Sequence, residues 1–192
     1  MLEKMPATIG RALKGVRSGM DTLVSQDDAF AAVPDVIAVT SPAFAPGAEI
    51  PGRYTEDGER LSPPLEWIGV PSEAQALVLL VEDADSPTFR PLVHAIVGEL
   101  PPVDGGLEEG ALPTPGSGQE RFGMGRNSFL HTAWLAPDPP RGHGPHRYAF
   151  QLFALDDVPE FGKVPGRSAL VAALRGHVIA KGMLVGTYAR PS

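Results

Sequence analysis

The apolar residues of the chain fall into short blocks of strand length. Residues 36–39 form a brief strand candidate. Residues 76–81 (ALVLLV) are apolar at every position, which predicts a strand buried on both faces. Residues 93–97 (VHAIV) predict a second such strand, and alternation groups His94 with Ile96 against Val93, Ala95 and Val97. Residues 147–155 (RYAFQLFAL) are apolar on both alternating faces and predict another central strand. Residues 183–188 close the series. Helical spacing occurs twice. Ser168 is placed to cap a helix over 169–179, with Leu170, Leu174 and Ile179 along it. Near the N-terminus, Ile9, Leu13, Val16 and Met20 share one helical face, and a second short helical stretch is expected after Ser25.

Between these blocks the chain is punctuated by 22 glycines and 21 prolines, without a period of solenoid or propeller length. That pattern predicts short strands joined by tight turns and ordered loops. One turn is expected at Asp57-Gly58. Residues 104–126 hold seven glycines and predict a long surface loop, a frequent carrier of function. The length of 192 residues suits one domain with a short appendage: an N-terminal helical arm over 1–33 and a mainly β domain over 34–192. In the arm, Lys4, Arg11, Lys14 and Arg17 oppose Glu3, so it could lie on a membrane surface or a partner. Gly10, Gly15 and Gly19 weaken a free-standing helix and favour packing on its own domain or on a second subunit.

Charge and composition then remove several classes of function. Sixteen Lys and Arg against 23 Asp and Glu leave a net charge of −7, the wrong sign for a nucleic-acid binder. Cysteine is absent, so disulfides, thiol nucleophiles and thiolate metal sites are excluded. No apolar run approaches the roughly 20 residues of a membrane-spanning helix. Residues 1–20 lack the apolar core of a signal peptide, so cytoplasm is the expected compartment.

Three clusters carry candidate chemistry. Glu82-Asp83-Ala84-Asp85-Ser86-Pro87 follows the apolar strand directly, which places acids at the rim of a sheet; the alternative is a polar turn. His94 lies within an apolar strand, where a hydrogen-bonded core histidine is the simpler reading. Residues 137–148 (PDPPRGHGPHRY) form a rigid loop entering a strand. There His146 and Tyr148 share one face and Arg147 takes the other. The alternative is a stiff turn with His143 and His146 in solvent. Together, Asp83, Asp85, His94 and His146 could line one cavity. Such a set suits a small phosphorylated headgroup, because a nearby carboxylate favours charged imidazole. It could also hold a divalent cation. Ser86, Thr88 and Ser128 lack the setting of an activated nucleophile.

At these clusters the chain resembles the phosphatidylethanolamine-binding protein family, also called the Raf kinase inhibitor protein family, and its bacterial branch in particular. Tyr54-Thr55-Glu56-Asp57-Gly58 through Ser62-Pro63-Pro64-Leu65-Glu66-Trp67 is similar to the branch's opening signature. Asp83-Ala84-Asp85-Ser86-Pro87 resembles its Asp-Pro-Asp-x-Pro motif, with His94 following as a pocket histidine. Gly125-Arg126-Asn127-Ser128-Phe129 and residues 137–148 resemble two later motifs. The resemblance spans roughly residues 40–190. It implies a β-sandwich-like fold with a large central antiparallel sheet and few peripheral helices. It also implies a small pocket for phosphate-like anions and headgroups, built from Asp83, Pro87, His94, Pro139, Pro140, His146 and Tyr148, with Asp85 in support. Ser86-Pro87 is a candidate cis peptide. Two positions depart from the family pattern. Ala84 replaces a proline, which predicts a less rigid loop. Asp138 adds a carboxylate that, facing the pocket, weakens anion binding and favours a zwitterionic or amine-bearing ligand.

The leading expectation is therefore a non-enzymatic binding protein with no catalytic residues, metal or cofactor. Its partner would be a small anionic or zwitterionic ligand, and nucleic acid is not expected. Two alternatives remain: an inhibitor of a serine protease or kinase acting through loop 104–126 and the arm, or a metal-assisted hydrolase using Asp83, Asp85, His94 and His146. The arm could also cover a second copy of the chain and make a homodimer.

Overall fold

The structure, a computed structural model, describes residues 6–116, 123–158 and 164–190. The described residues are mainly β, with seven strands in two antiparallel sheets. The larger sheet has four strands: β3 (Ala76–Asp83), β4 (Leu92–Leu100), β6 (His146–Leu155) and β7 (Val178–Tyr188), in the order β4-β3-β6-β7. The smaller sheet orders β1 (Ala38–Thr40), β2 (Leu65–Ile68) and β5 (Gly105–Leu107) as β1-β2-β5. No helix among the described residues is long and apolar enough to cross a membrane.

The continuous apolar runs have a direct cause, which is that the larger sheet is covered on both faces. On one face, Leu77, Leu79, Val81, Ala95, Val97, Phe150 and Leu152 pack against Val39, Leu65 and Trp67 of the smaller sheet. On the other, Val78, Leu80, Val93, Ile96 and Phe153 pack against Leu170 and Leu174 of α2 (Arg167–Leu174) and against Val24 and Phe30 of the arm. All eight residues of β3 are buried, its terminal acids included.

The arm departs from the expected amphipathic helix. Among its described residues only α1 (Ala7–Ala12) is α-helical, and short 3-10 turns follow over Met20–Thr22, Val24–Gln26 and Asp28–Phe30. Ile9 and Val16, expected on the buried face, are exposed. Gly10 is the buried residue of α1, because a Cβ there would stand 2.0 Å from the Arg141 carbonyl oxygen. The helix seats through its missing side chain rather than through an apolar stripe. Beyond it, the Gly19 N–H donates to the Ala84 carbonyl (2.7 Å), and Lys181 Nζ donates to the Ser25 and Phe30 carbonyls (both 2.9 Å).

Other expectations shift at their edges. Helix α2 starts at Arg167 with Gly166 before it, so Ser168 lies inside the first turn and caps nothing. It stops at Leu174, ahead of Gly176 at φ +82°, and Ile179 belongs to β7. Loop 104–126 is not wholly a surface loop. Gly105–Leu107 pairs with β2, and a Cβ on Gly106 would meet the Leu65 carbonyl oxygen at 2.3 Å. Leu112 and Met124 are buried, while residues 117–122 of this loop lie outside the described residues. The Ser86–Pro87 bond is trans. Ala84 stiffens its loop, since its N–H donates to the Arg147 carbonyl (2.9 Å), a bond that proline could not make.

Asp85 ties this loop to β6 and the arm. Its carboxylate accepts from the Arg147 backbone N–H (2.8 Å), from Arg147 Nε (2.7 Å) and from Arg147 Nη2 (2.6 Å), and Arg17 Nη1 lies 2.9 Å away. Burial alone would push this carboxyl up, but the Arg147 and Arg17 bonds outweigh it and bring the pKa down from 3.8 to about 2. The resulting stabilisation, about 2 kcal/mol, is complete above roughly pH 4 and is lost as pH falls through about 2. Asp85→Asn should lower stability at neutral pH and flatten its acid dependence in that window, as read by urea unfolding at stepped pH. Lys181→Met should cost about 1–3 kcal/mol, because two buried carbonyls lose their donor. Faster amide exchange over residues 25–30 would accompany that loss.

Candidate functional site

A β-bulge places the first residue of the site. Along β3, Val81 opposes Ala95 and Glu82 opposes Val93, so β4 carries one extra residue at His94. The extra residue breaks the expected alternation. His94 joins Ala95 and Val97 on the face toward the smaller sheet, and Ile96 joins Val93 on the other. The His94 ring meets Tyr148 edge-on, with centroids 5.1 Å apart, and lies 6.2 Å from the Trp134 ring.

His94 Nδ1 is 2.6 Å from the Leu135 carbonyl oxygen. A carbonyl only accepts, so Nδ1 carries the proton. Burial lowers the His94 pKa, against the pull of Asp83, so the ring is neutral and Nε2 presents a bare lone pair. That Nε2 has no hydrogen-bond partner, and neither does the Trp134 indole Nε1–H or the Tyr148 hydroxyl; all three are buried. Burial, followed by the negative charge of Asp83, pushes the Tyr148 pKa well up, so the hydroxyl keeps its proton. An acceptor, a donor and a hydroxyl are thus left unsatisfied in one aromatic layer, at a cost that native interiors seldom carry.

Beside this layer lies a chain of hydrogen bonds. Asp83 Oδ2 is 2.7 Å from His146 Nδ1, His146 Nε2 is 2.7 Å from His143 Nδ1, and His143 Nε2 is 2.8 Å from the Leu13 carbonyl oxygen. Asp83 Oδ1 also accepts the Asp85 N–H (2.8 Å). Burial, then the neighbouring His146, lowers the His143 pKa, which favours the neutral ring. The reading with both imidazoles in solvent is corrected, since both are fully buried. Among the described residues, no group of three or more His, Cys, Asp or Glu is placed to hold a metal ion.

A cavity of about 300 Å³ opens against Trp134, Leu135, Ala136 and Asp138, with Glu56, Glu59 and His131 on its wall. Asp138 does face it, as its place in the sequence suggests, but its charge is answered. Arg190 donates to Asp138 and, through Nε, to Asp57 Oδ2 (2.6 Å), which also accepts the Tyr188 hydroxyl (2.8 Å). Arg190 holds the Asp57 carboxyl below the usual range.

The structure therefore brings Asp83, His94, His146 and Tyr148 together, with Asp85 pinning the adjoining loop. Pro139 and Pro140 are buried in the segment before His143, and the Pro140 carbonyl accepts the His143 N–H (3.1 Å). Pro87 is half-buried beyond Asp85. Sequence reasoning missed Trp134, Arg190 and the role of His143. For His143 a signal existed, namely its position three residues before His146 in a stiff Gly-Pro loop.

Comparisons with known proteins show the family and the fold. The sequence profile described as phosphatidylethanolamine-binding protein matches residues 40–189. A UPF0098 protein of Methanothermobacter thermautotrophicus is 38% identical over 148 residues, covering 77% of this chain and 95% of that one. A UPF0098 protein of Mycobacterium tuberculosis is 39% identical over 155 residues, covering 80% and 71%. Among solved structures, a phosphatidylethanolamine-binding protein homologue of Chlamydia trachomatis superposes with a TM-score of 0.72 at 36% identity, covering 81% of this chain and 99% of that one. Escherichia coli YbcL, described as a new member of the mammalian family, gives 0.71 at 25% identity, covering 80% and 98%. The chain belongs to the phosphatidylethanolamine-binding protein family.

Proposed function

We propose that this chain is a non-enzymatic binding protein for a small phosphate-bearing headgroup of the phosphoethanolamine type. Its binding set would be Asp83, Pro87, His94, Pro139, Pro140, His146 and Tyr148, extended by Trp134. The observation that supports this reading is the trio of buried, partnerless polar atoms (His94 Nε2, Trp134 Nε1 and the Tyr148 hydroxyl) beside the 300 Å³ cavity. Phosphate oxygens would accept from the indole N–H and the phenol O–H. His94 would become a third donor by taking up a proton as the anion arrives, because a neighbouring negative charge favours imidazolium. The ligand's ammonium would face the wall of Glu56, Glu59 and Asp138, where Arg60 already pairs with Glu56 (2.9 Å). The charge of Asp138 is already shared with Arg190, which leaves the site less hostile to phosphate than its sequence suggests.

Proton uptake on binding fixes the sign of the pH dependence. Affinity for phosphoethanolamine should rise as pH falls toward the ordinary His range, by at most about tenfold per pH unit for one proton. Calorimetry in buffers of different ionisation enthalpy reads this directly. Tyr148→Phe should weaken binding by about tenfold, the worth of one hydrogen bond to a charged group. The same change should leave the free protein equally stable or up to about 1 kcal/mol more stable, because an orphaned hydroxyl is removed. Inorganic phosphate, run in parallel, separates a headgroup site from a general anion site. If neither ligand binds, or if Tyr148→Phe leaves affinity unchanged, the reading fails.

A further inference from the structure

Two loop tips near the start of β4 carry apolar side chains that nothing covers. Phe89, in the loop between β3 and β4, is 105% exposed. Leu130 is 74% exposed in the turn over residues 127–131, which is tied to β4 where the Ser128 N–H donates to the Val93 carbonyl (3.0 Å). Neither tip is loose. The Thr88 carbonyl accepts the Ser18 hydroxyl (3.0 Å), and the Thr88 hydroxyl donates to the Arg90 carbonyl (2.6 Å), which fixes the backbone on both sides of Phe89. Asn127 Oδ1 accepts the Phe129 N–H (2.9 Å) and the His131 N–H (3.1 Å), so Leu130 is held between them, at φ +65°. A leucine in this left-handed region is strained. The strained residue presents its side chain to solvent, while its neighbours Phe129 and His131 line the 300 Å³ cavity.

Arginines stand between the tips. Phe89, Arg90 and Arg167 line a cavity of about 710 Å³, and Arg167, Arg126 and Leu130 line a second of about 310 Å³. The shared Arg167 makes them one continuous face. Glu82 holds Arg167 (2.7 Å), whereas among the described residues Arg90 and Arg126 pair with no carboxylate. The acids of the larger cavity, Asp21 and Asp27, lie on its arm side, where Arg175 is 3.5 Å from Asp27. On a chain of net charge −7, a face that joins two uncommitted arginines to two projecting apolar tips is out of character. The other exposed apolar group, Val36, Ile68 and Val103, has the opposite sign beside it, from Asp35 and Asp104.

We propose that this face docks on an anionic lipid bilayer, with Phe89 and Leu130 entering the interface and Arg90 and Arg126 meeting its lipid phosphates. A protein partner needs a continuous, shape-matched apolar core, and these tips are separate points with cations between them. A fluid bilayer needs no such match. Apolar tips enter its boundary, and arginines meet its negative surface. None of the four residues belongs to the binding set proposed above, so docking stands apart from the headgroup reading. It would bring the loop that lines the headgroup cavity against the lipid surface.

The test is cosedimentation of the full chain with vesicles of phosphatidylcholine mixed with phosphatidylglycerol, and with vesicles of phosphatidylcholine alone. Neither contains an ethanolamine lipid, so the headgroup reading plays no part in the result. In about 0.1 M salt the wild type should partition onto the mixed vesicles at least about tenfold more strongly than onto phosphatidylcholine. Raising the salt to about 1 M, where the screening length falls to about 3 Å, should release most of it. Arg90→Gln and Arg126→Gln should each weaken partition about fivefold, the worth of one cation at an anionic surface. Phe89→Ser and Leu130→Gly should each weaken it about tenfold. Both positions are exposed, and glycine suits the left-handed backbone at residue 130, so these variants should fold as the wild type does. The emission of Phe89→Trp should shift to the blue on the mixed vesicles. No partition onto mixed vesicles in about 0.1 M salt overturns the proposal. Partition that Phe89→Ser and Leu130→Gly leave unchanged is adsorption by charge alone and overturns it too. A chain that dimerises without vesicles and becomes monomeric on Phe89→Ser assigns the face to a second copy, against the proposal. Intact docking by a protein that fails to bind free phosphoethanolamine overturns the headgroup reading and leaves the docking standing.

Discussion

Burial of the acidic end of β3 is the constraint around which this molecule is organised. Glu82, Asp83 and Asp85 are each no more than 3% exposed, and a buried carboxylate is tolerated only with donors or cations against it. Glu82 accepts from Arg167 of α2 (2.7 Å), from Gln151 of β6 (2.8 Å) and from the Val24 N–H of the arm (3.1 Å). Asp83 takes His146. Asp85 takes Arg147 and Arg17. Three neighbouring acids thus recruit the helix, the central strand and the arm to one end of the sheet. Apolar burial holds the sheet together; these acids decide what covers its end.

The same constraint explains how chemistry can gather in a core. Asp83 holds the His146 imidazole, and the strand partner Tyr148 and the bulged His94 lie in the field of its carboxylate. The Tyr148 hydroxyl and His94 Nε2 find no protein partners. The Asp138–Arg190–Asp57 group then carries a second set of charges beside the neighbouring cavity, with Asp138 and Arg190 buried and Asp57 exposed. A binding protein gains from this arrangement because its donors are already desolvated and held in place before the ligand arrives.

The β architecture was legible because the central strands are buried on both faces, and such strands write unbroken apolar runs. Asp83, His94, His146 and Tyr148 were legible because they sit on those strands or at their ends. The rest depends on contacts that sequence periodicity does not encode. The bulge at His94 is set by pairing with β3, so simple alternation assigned Ile96 to the wrong face. The helical face read over Ile9–Met20 was not found, because the arm's seat is the absence of a side chain at Gly10. Asp138 and Arg190 lie far apart in the chain, so the acid was visible and its neutralising cation was not. Ala84 looked like a loss of rigidity until its N–H proved to be a rung added beside β6.

The account turns on where the protons sit in the buried imidazoles, and long-range proton–nitrogen correlation spectra of the five histidines measure this directly at neutral pH. The structure predicts His94 protonated at Nδ1 with a bare Nε2, and His143 protonated at Nε2, where it faces the Leu13 carbonyl oxygen. A His94 ring carrying its proton on Nε2, or a His143 ring bare at Nε2, would contradict it.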